Sequence, residues 1–191
     1  MKIILASKSP RRVELMHNLG LTFEIMPSQK EEDMSAKLSL GKLSENLAKQ
    51  KAEDIYTQTT GDRCVVGSDT MVALGRNIFG KPKNDDDAAL MLKKLSGRWH
   101  KVYTSLCVII QNENVKKEYL LHDVCRVKFK KLTDDMIQKY LKVGEHKDKA
   151  GAYGMQGYSG AFVEKIDGNY STVIGLPVHK LYEILYKENL I

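Results

Sequence analysis

Short runs of aliphatic and β-branched residues alternate along the chain with segments whose apolar residues recur at helical spacing, and this alternation most limits the fold. Residues 3–6 and 64–66 are continuous apolar runs, which are typical of strands buried on both faces. Between them, residues 40–56 carry leucine and isoleucine along one helical stripe, with Lys51 on or beside it. Helices and strands that interleave in this way predict an α/β protein built on a mixed sheet.

Turn and capping residues set the bounds of the other predicted elements. Ser9-Pro10 is typical of a helix start, Gly20 of a helix end, and Asn112-Glu113-Asn114 of the turn of a β-hairpin. No repeat or linker interrupts the pattern, so we expect one domain over residues 1–191. The predicted strands cover residues 22–26, 64–74, 99–111 and 115–130. The predicted helices cover residues 10–19, 85–94 and 177–187, and a further helix is predicted to be capped by Thr133 and to end at Gly144.

The chain carries a basic excess, but the excess is spread evenly. Lys and Arg number 30 against 24 Asp and Glu, for a net charge of +6, and each half of the 191 residues contributes +3. A nucleic-acid binder held by a Lys/Arg stripe is therefore not indicated, whereas attraction of an anionic small molecule is compatible with this charge.

Three cysteines lie singly inside apolar stretches, without a C-x-x-C pair: Cys64, Cys107 and Cys125. Buried free thiols in strands are the better interpretation, and we expect a reducing, cytoplasmic setting. The apolar run at the N-terminus is too short for a signal peptide or a membrane span, so no membrane association is expected.

Several segments place charged residues where phosphate or metal chemistry could occur. Arg11 and Arg12 stand in the first turn of a predicted helix, where they oppose the macrodipole unless an anion is present, and Ser7 precedes them. Asp69 follows the apolar part of a predicted strand, where α/β sheets bind ligands. Lys81 lies between Gly80 and Pro82, outside any P-loop spacing.

Each segment taken alone also has an ordinary structural explanation. The arginines can belong to a solvated helix end, Asp69 to a turn, and Lys81 to a proline turn. The acidic run Glu31-Glu32-Asp33 is of a kind that usually faces water, and Lys51 can extend its ammonium group to solvent. Together, however, four separated cations with acids at Glu32 and Asp69 describe a triphosphate site in which the acids hold Mg²⁺ and position water.

Ordered motifs along nearly the whole chain resemble the Maf family of nucleoside triphosphate pyrophosphatases, also called septum formation inhibitors. The motifs are Leu5-Ala6-Ser7-x-Ser9-Pro10-Arg11-Arg12, Leu47-Ala48-x-x-Lys51-Ala52, Gly67-Ser68-Asp69-Thr70, Gly80-Lys81-Pro82, Leu95-Ser96-Gly97-Arg98-x-His100, Gly151-Ala152-Tyr153-Gly154-Met155-Gln156-Gly157 and Val173-x-Gly175-Leu176-Pro177.

The resemblance implies hydrolysis of a nucleoside triphosphate between its α and β phosphates, with Mg²⁺ or Mn²⁺, to the monophosphate and pyrophosphate. It also implies a single elongated domain similar to inosine triphosphatases, in which helices flank a twisted mixed sheet and a central cleft divides two lobes. A homodimer is common in the family. The proposed role is removal of modified nucleotides, linked to arrest of cell division.

The resemblance also assigns site residues. Asp69 corresponds to the proton acceptor, with Glu32, Lys51 and Lys81 as the other catalytic residues and with Glu32 and Asp69 as metal ligands. Residues matching Ser7 and Arg12 line the phosphate end. Residues matching Arg11, Thr70 and Gln156 follow the pattern of the subfamily that prefers dTTP and UTP to 7-methyl-GTP.

Two positions depart from the family pattern. Gln29-Lys30-Glu31-Glu32 replaces the usual Asp-Ile-Asp-Glu and keeps its last acid, and Ser105 replaces a glycine. A second hypothesis is a regulator of septum formation that binds nucleotides or nucleic acid without turnover, and a third is a phosphohydrolase that releases orthophosphate. The products formed from a triphosphate distinguish the three.

Overall fold

Seven strands form one mixed sheet within the residues that the structure, a computed structural model, describes, 1–30 and 38–191. The strands are β1 (Lys2–Leu5), β2 (Glu24–Ile25), β3 (Arg63–Leu74), β4 (Asn77–Phe79), β5 (Trp99–Asn112), β6 (Val115–Phe129) and β7 (Val163–Asp167). The helices are α1 (Pro10–Asn18), α2 (Leu40–Gln58), α3 (Asp85–Leu95), α4 (Asp134–Val143), α5 (Tyr170–Ile174) and α6 (Val178–Lys187), with 3-10 turns over Glu145–Asp148, Ala150–Ala152 and Tyr158–Phe162.

The strand order is β2-β1-β3-β5-β6-β7, and β4 pairs with β3. Strand β1 runs parallel to β2 and β3, whereas the β3–β4 and β6–β7 pairs are antiparallel. The predicted hairpin is present, since β5 and β6 are neighbours joined at Glu113-Asn114. The prediction of an α/β fold with a mixed sheet and flanking helices is confirmed.

The chain groups into two compact units. Unit 1 contains Met1–Asp69, Thr104–Asp123 and Gly175–Ile191, and unit 2 contains Thr70–Tyr103 and Val124–Ile174. Because β3, β5 and β6 are long, each contributes residues to both units. The assignment of residues 1–191 to one domain stays a prediction.

Unit 1 buries its part of the sheet on both faces. Ile3, Leu5 and Val66 pack into one apolar cluster, while Ile4 and Val65 pack into another, as the period of two along a strand requires. Since both sets are buried, the sequence of these strands is continuously apolar rather than alternating. The free thiols of Cys64 and Cys107 lie on opposite faces of this core and are buried, as predicted.

Unit 2 is organised around a group of aromatic side chains. His100 is 2% exposed, and its Nε2 atom lies 2.7 Å from the Tyr153 hydroxyl oxygen. Both rings meet the Phe129 ring edge to face, at centroid distances of 4.9 and 4.7 Å. Burial disfavours the imidazolium form and lowers the pKa of His100 to about 4. This histidine is therefore neutral at pH 7.

The buried histidine makes the stability of the protein pH-dependent. The unfolded state binds a proton at His100 near pH 6.5 but the folded state only near pH 4, so stability present above pH 6.5 is lost as the pH falls toward 4. We expect the free energy of unfolding in urea to fall by about 3 kcal/mol more between pH 7 and pH 4 in the wild type than in His100→Gln. Equal losses in the two proteins would contradict this expectation.

Four elements differ from the sequence-based predictions, and one of them is β4, which was not predicted and pairs with the end of β3. The strand expected over residues 22–26 contains just Glu24 and Ile25, because β1 offers it two pairing positions, Ile4 and Leu5. Strand β7 and helix α5 were not predicted, since both are short and lie among polar residues and glycines.

Among the described helices, none combines the length and the apolar composition that crossing a bilayer requires.

Candidate active site

The parallel pairing of β1 with β3 places Ser7 and Asp69 at one edge of the unit 1 sheet. Leu5 is in register with Val66, and the Ala6 amide donates a hydrogen bond to the Val66 carbonyl at 2.8 Å. The two segments therefore remain side by side where β1 ends, and both site residues there are buried: Ser7 is 8% and Asp69 is 6% exposed. Asp69 follows the apolar part of β3, and β3 continues to Leu74 as predicted, so Asp69 does not lie outside the carboxyl end of its own strand. It is the end of β1, not of β3, that defines this edge.

Arg12 of α1 is fixed by two hydrogen bonds at the same edge. Its Nε atom donates to the Gly175 carbonyl at 2.8 Å, and its Nη1 atom donates to the Ser7 hydroxyl at 3.2 Å. The Ser68 hydroxyl donates to the same Gly175 carbonyl at 3.0 Å. Gly175 has a φ of +127°, which other residues rarely adopt, so a glycine is needed to present this carbonyl.

The start of α1 is capped differently from the prediction. Ser9 occupies the N-cap position, but its side chain makes no capping hydrogen bond. Instead, the Ser7 hydroxyl accepts a hydrogen bond from the Ser9 amide at 3.2 Å. Ser7 thus links the helix start to the Arg12 guanidinium, and half-buried Arg11 adds a second cation in this first turn. Two arginines at a helix N-terminus make the local potential strongly positive and suited to an anion.

Lys51 and Asp69 form an ion pair. The Lys51 Nζ atom donates to Asp69 Oδ1 at 2.6 Å, and the side chains are 17% and 8% exposed. A lysine within the stripe of α2 therefore has a partner, which explains its departure from the apolar pattern. A short, charge-assisted bond of this kind fixes the position of the carboxylate.

Gly67 allows α2 to approach β3 closely enough for this ion pair. A Cβ atom on Gly67 would lie 2.5 Å from the Ala48 carbonyl oxygen and 2.8 Å from the Ala52 Cβ. Ala48 and Ala52 lie on either side of Lys51 along α2, and Gly67 lies two residues before Asp69, on the same face of β3. The missing side chain at Gly67 is thus the local reason that Lys51 meets Asp69.

Ser105 supports the same helix. Its hydroxyl oxygen lies 2.5 Å from that of Ser44, and both residues are fully buried. The departure from glycine at this position therefore has a structural role, because the pair joins β5 to α2, the helix that carries Lys51.

The remaining predicted site residues that the structure describes, catalytic Lys81 and the substrate-binding residues Thr70 and Gln156, belong to unit 2. Thr70 and Gln156 are half-buried, and Lys81 is exposed. The Gly80 carbonyl accepts a hydrogen bond from the Gly151 amide at 3.0 Å, so the segment of Lys81 is joined to the segment that leads to Gln156. A Cβ on Gly151 would lie 3.0 Å from Val72 Cγ1, which places this second segment directly against β3.

Glu32, predicted as catalytic residue and metal ligand, lies outside the described residues together with Glu31. Within the described residues, no group of three or more His, Cys, Asp or Glu side chains is arranged to hold a metal ion. Asp69 supplies a hard carboxylate oxygen there, and Mg²⁺ is usually bound by one or two carboxylates together with substrate phosphates. The donor chemistry at Asp69 therefore fits a cation that is shared with a phosphate ligand.

Sequence reasoning did not single out two residues that organise this edge. The Ser68 hydroxyl and the Gly175 carbonyl connect β3 to Arg12. Both residues belong to the family motifs, but neither was predicted to have a role in the site. The sequence held one signal for Ser68: a polar residue in a buried strand needs a hydrogen-bond partner.

The fold and this edge define the class of protein. It is an α/β protein in which basic and acidic side chains lie where the parallel pairing of β1 with β3 ends. The fold is similar to that of a HAM1 protein from Coxiella burnetii, with a TM-score of 0.55 and 14% identity over 98% of this chain and 99% of that one. It is also similar to the Ham1 protein of Staphylococcus aureus, with a TM-score of 0.54 and 11% identity over 98% of this chain and 100% of that one.

The sequence identifies the family within this class. Residues 2–188 match the model of the Maf-like protein family, so the chain belongs to the Maf family. A relative named dTTP/UTP pyrophosphatase from Aquifex aeolicus is 46% identical, and the alignment covers 100% of this chain and 97% of the relative. Another relative of that name, from Alkaliphilus oremlandii, is 46% identical over 96% of this chain and 94% of its own length. The predicted family membership is confirmed.

Proposed function

We propose that this protein hydrolyses dTTP and UTP to the monophosphate and pyrophosphate. The observation that carries the proposal is the Lys51–Asp69 ion pair of 2.6 Å, formed at the sheet edge where Arg12 and Ser7 also meet. Relatives named dTTP/UTP pyrophosphatase, alike over nearly their whole length, support the choice of substrate.

The positive side chains bind the triphosphate. Arg12 is oriented by its bonds to Ser7 and Gly175, so its guanidinium can meet phosphate oxygens without searching many rotamers. Lys51 contributes a point charge beside Asp69. We assign a phosphate-binding role to exposed Lys81 as well, as the family motif implies. These cations stabilise the negative charge that develops on the leaving pyrophosphate.

Asp69 accepts the proton of the attacking water. Its carboxylate is held in position by the Lys51 ammonium and is the acceptor for the proton that the water loses. Attack by the resulting hydroxide on the α phosphorus breaks the bond to the bridging oxygen, and pyrophosphate departs with that electron pair.

A divalent cation, Mg²⁺ or Mn²⁺, completes the site in this proposal. Asp69 would hold it, together with Glu32 from outside the described residues. When bound, such a cation neutralises phosphate charge and polarises the phosphoryl oxygens.

Arg11, Thr70 and Gln156 select the base in favour of pyrimidines, as the family pattern implies. The alternative of a regulator without turnover is not favoured, since the named relatives are enzymes. The orthophosphate-releasing alternative has no observation in its favour. We place the protein in the reducing cytoplasm, because all three thiols are buried and free. We propose the removal of modified pyrimidine nucleotides as its role.

A panel of triphosphates tests the proposal. We expect pyrophosphate release from dTTP and UTP that requires Mg²⁺ or Mn²⁺, with kcat/KM at least about tenfold above that for GTP, because one specific hydrogen-bonded contact to a base is worth this much or more. Calorimetric binding of dTTP without any pyrophosphate would favour the regulator, and orthophosphate as the sole product would favour a different phosphohydrolase.

A further inference from the structure

The loop over residues 153–157, which carries Gln156, is held by hydrogen bonds at both ends. The Ser159 hydroxyl accepts a hydrogen bond from the Gly154 amide at 3.0 Å and donates one to the Gly154 carbonyl at 2.9 Å. Ser159 is fully buried, so water does not compete for these bonds. At the start of the loop, the Tyr153 hydroxyl is paired with buried His100.

Glu145 braces the other end of the loop. Its two carboxylate oxygens lie 3.2 and 3.1 Å from the Tyr158 amide nitrogen, which donates to both. A Cβ on Gly157 would lie 2.7 Å from the same oxygens, so the backbone next to Gln156 rests directly on the carboxylate. Gly157 has φ +84° and ψ −157°, a conformation open essentially to glycine alone.

Glu145 is itself held on a rigid support. It follows Gly144, whose φ of +81° ends α4, and its carbonyl accepts a hydrogen bond from the Lys149 ammonium. The neighbouring His146 is 1% exposed, and its Nε2 atom lies 3.0 Å from Asp85 Oδ1 in the first turn of α3. The backbone that carries this carboxylate is therefore joined to α4 and, through His146, to α3.

We propose that Glu145 is a positioning residue for base selection, acting through the backbone of Gly157 and Tyr158 on Gln156. A loop held at both ends restricts Gln156 to few backbone conformations, so its amide group meets the pyrimidine edge without a large loss of entropy on binding. Without the carboxylate, the loop end is released and the base contact weakens. The inference rests on the proposed function for its ligand, a pyrimidine nucleoside triphosphate.

The test compares Glu145→Ala and Glu145→Gln with a control, Glu164→Gln, which changes an exposed carboxylate of β7. The probes are non-hydrolysable α,β-methylene analogues of dTTP and GTP, measured by calorimetry. In Glu145→Ala we expect the Kd of the dTTP analogue to rise about tenfold and that of the GTP analogue by less than about threefold, because a specific base contact is lost while phosphate binding persists. Glu145→Gln retains an acceptor oxygen for the Tyr158 amide and should restore most of the selectivity.

A second readout reports on the loop without ligand or turnover. Hydrogen exchange of the Tyr158 amide should become faster in Glu145→Ala and stay unchanged in Glu164→Gln, because the broken bond protects that amide. Unfolding of Glu145→Ala would be visible in circular dichroism, and Glu145→Gln and Ser159→Ala then carry the comparison.

The outcomes separate this inference from the proposed function. The positioning role is overturned if the Tyr158 amide exchanges faster in Glu145→Ala while the ratio of the Kd values for the dTTP and GTP analogues stays unchanged. An equal rise of both Kd values overturns it as well. A wild type that binds the dTTP analogue selectively yet releases no pyrophosphate contradicts the proposed function, whereas loss of that selectivity in Glu145→Ala still supports the positioning role.

Discussion

Asp69→Asn is expected to lower kcat for pyrophosphate release from dTTP about a thousandfold, within the range that a general base contributes. Asparagine keeps the size of the side chain and an oxygen that can accept the Lys51 hydrogen bond, but it cannot take a proton from water. At the same time it removes the carboxylate charge that would hold a divalent cation. A thousandfold loss corresponds to about 4 kcal/mol of transition-state stabilisation.

The matched control is Asp167→Asn, which removes a carboxylate that is also ion-paired, with Arg126 at 3.3 Å on exposed β7. Turnover in this variant should equal that of the wild type, since an exposed ion pair contributes little. Steady-state release of pyrophosphate from dTTP and UTP measures both variants, with circular dichroism as the check on folding. Turnover by Asp69→Asn within tenfold of the wild type would remove Asp69 from the mechanism.

Lys51→Met is expected to reduce kcat/KM for dTTP about a hundredfold, because one of the preorganised cations that meet the phosphates is lost. Methionine preserves the apolar stem of the side chain against α2. The substitution also leaves the Asp69 carboxylate buried without its partner, so we expect the free energy of unfolding to fall by about 2 kcal/mol.

Lys49→Met is a closely matched control for this prediction. Lys49 lies two residues earlier on α2, and its Nζ atom lies 2.6 Å from Glu118 Oε1, the same length as the Lys51–Asp69 pair. This variant should keep wild-type turnover, because its ion pair is more exposed and lies away from the sheet edge.

A double variant separates the two effects of Lys51→Met. Adding Asp69→Asn removes the uncompensated charge and should restore part of the lost stability without restoring turnover. Equal loss of activity in Lys49→Met and Lys51→Met would show that α2 needs lysine for folding rather than for phosphate binding.

Much of the fold could be predicted from local patterns. The helix of residues 40–56 was expected from its apolar spacing and extends in the structure to Gln58. Thr133 was expected to cap α4, and its side chain accepts a hydrogen bond from the Met136 amide. Such features depend on a few neighbouring residues, so sequence reasoning reaches them. Strand β7 escaped prediction because its five residues are ordered by pairing with distant β6.

The site was predictable in a different way. Misfits against local rules pointed to Lys51 and to the arginines of α1. The polar end of an apolar run pointed to Asp69 and the Gly-Lys-Pro segment to Lys81, whereas Gln156 came from the family motifs alone. No local rule could pair Lys51 with Asp69 over 18 positions of separation, because that pairing depends on how closely α2 packs on β3. Nor could one foresee that Arg12 is oriented by the carbonyl of Gly175, which lies 163 positions away.

The sequence by itself determined the α/β class, the family and the types of side chain available for phosphate chemistry, since periodicity, capping and motifs are written in neighbouring residues. Only the tertiary structure decided which of these side chains meet. The absence of a side chain at Gly67 lets α2 approach β3, and the end of β1 at Leu5 leaves Ser7 beside the edge where Asp69 lies. Nothing in the local sequence marks Glu145 as a contact of Gly157. Its carboxylate lies against Gly157 because the chain folds back to it. Contacts of this kind depend on shape in three dimensions, for which distance along the chain is no guide.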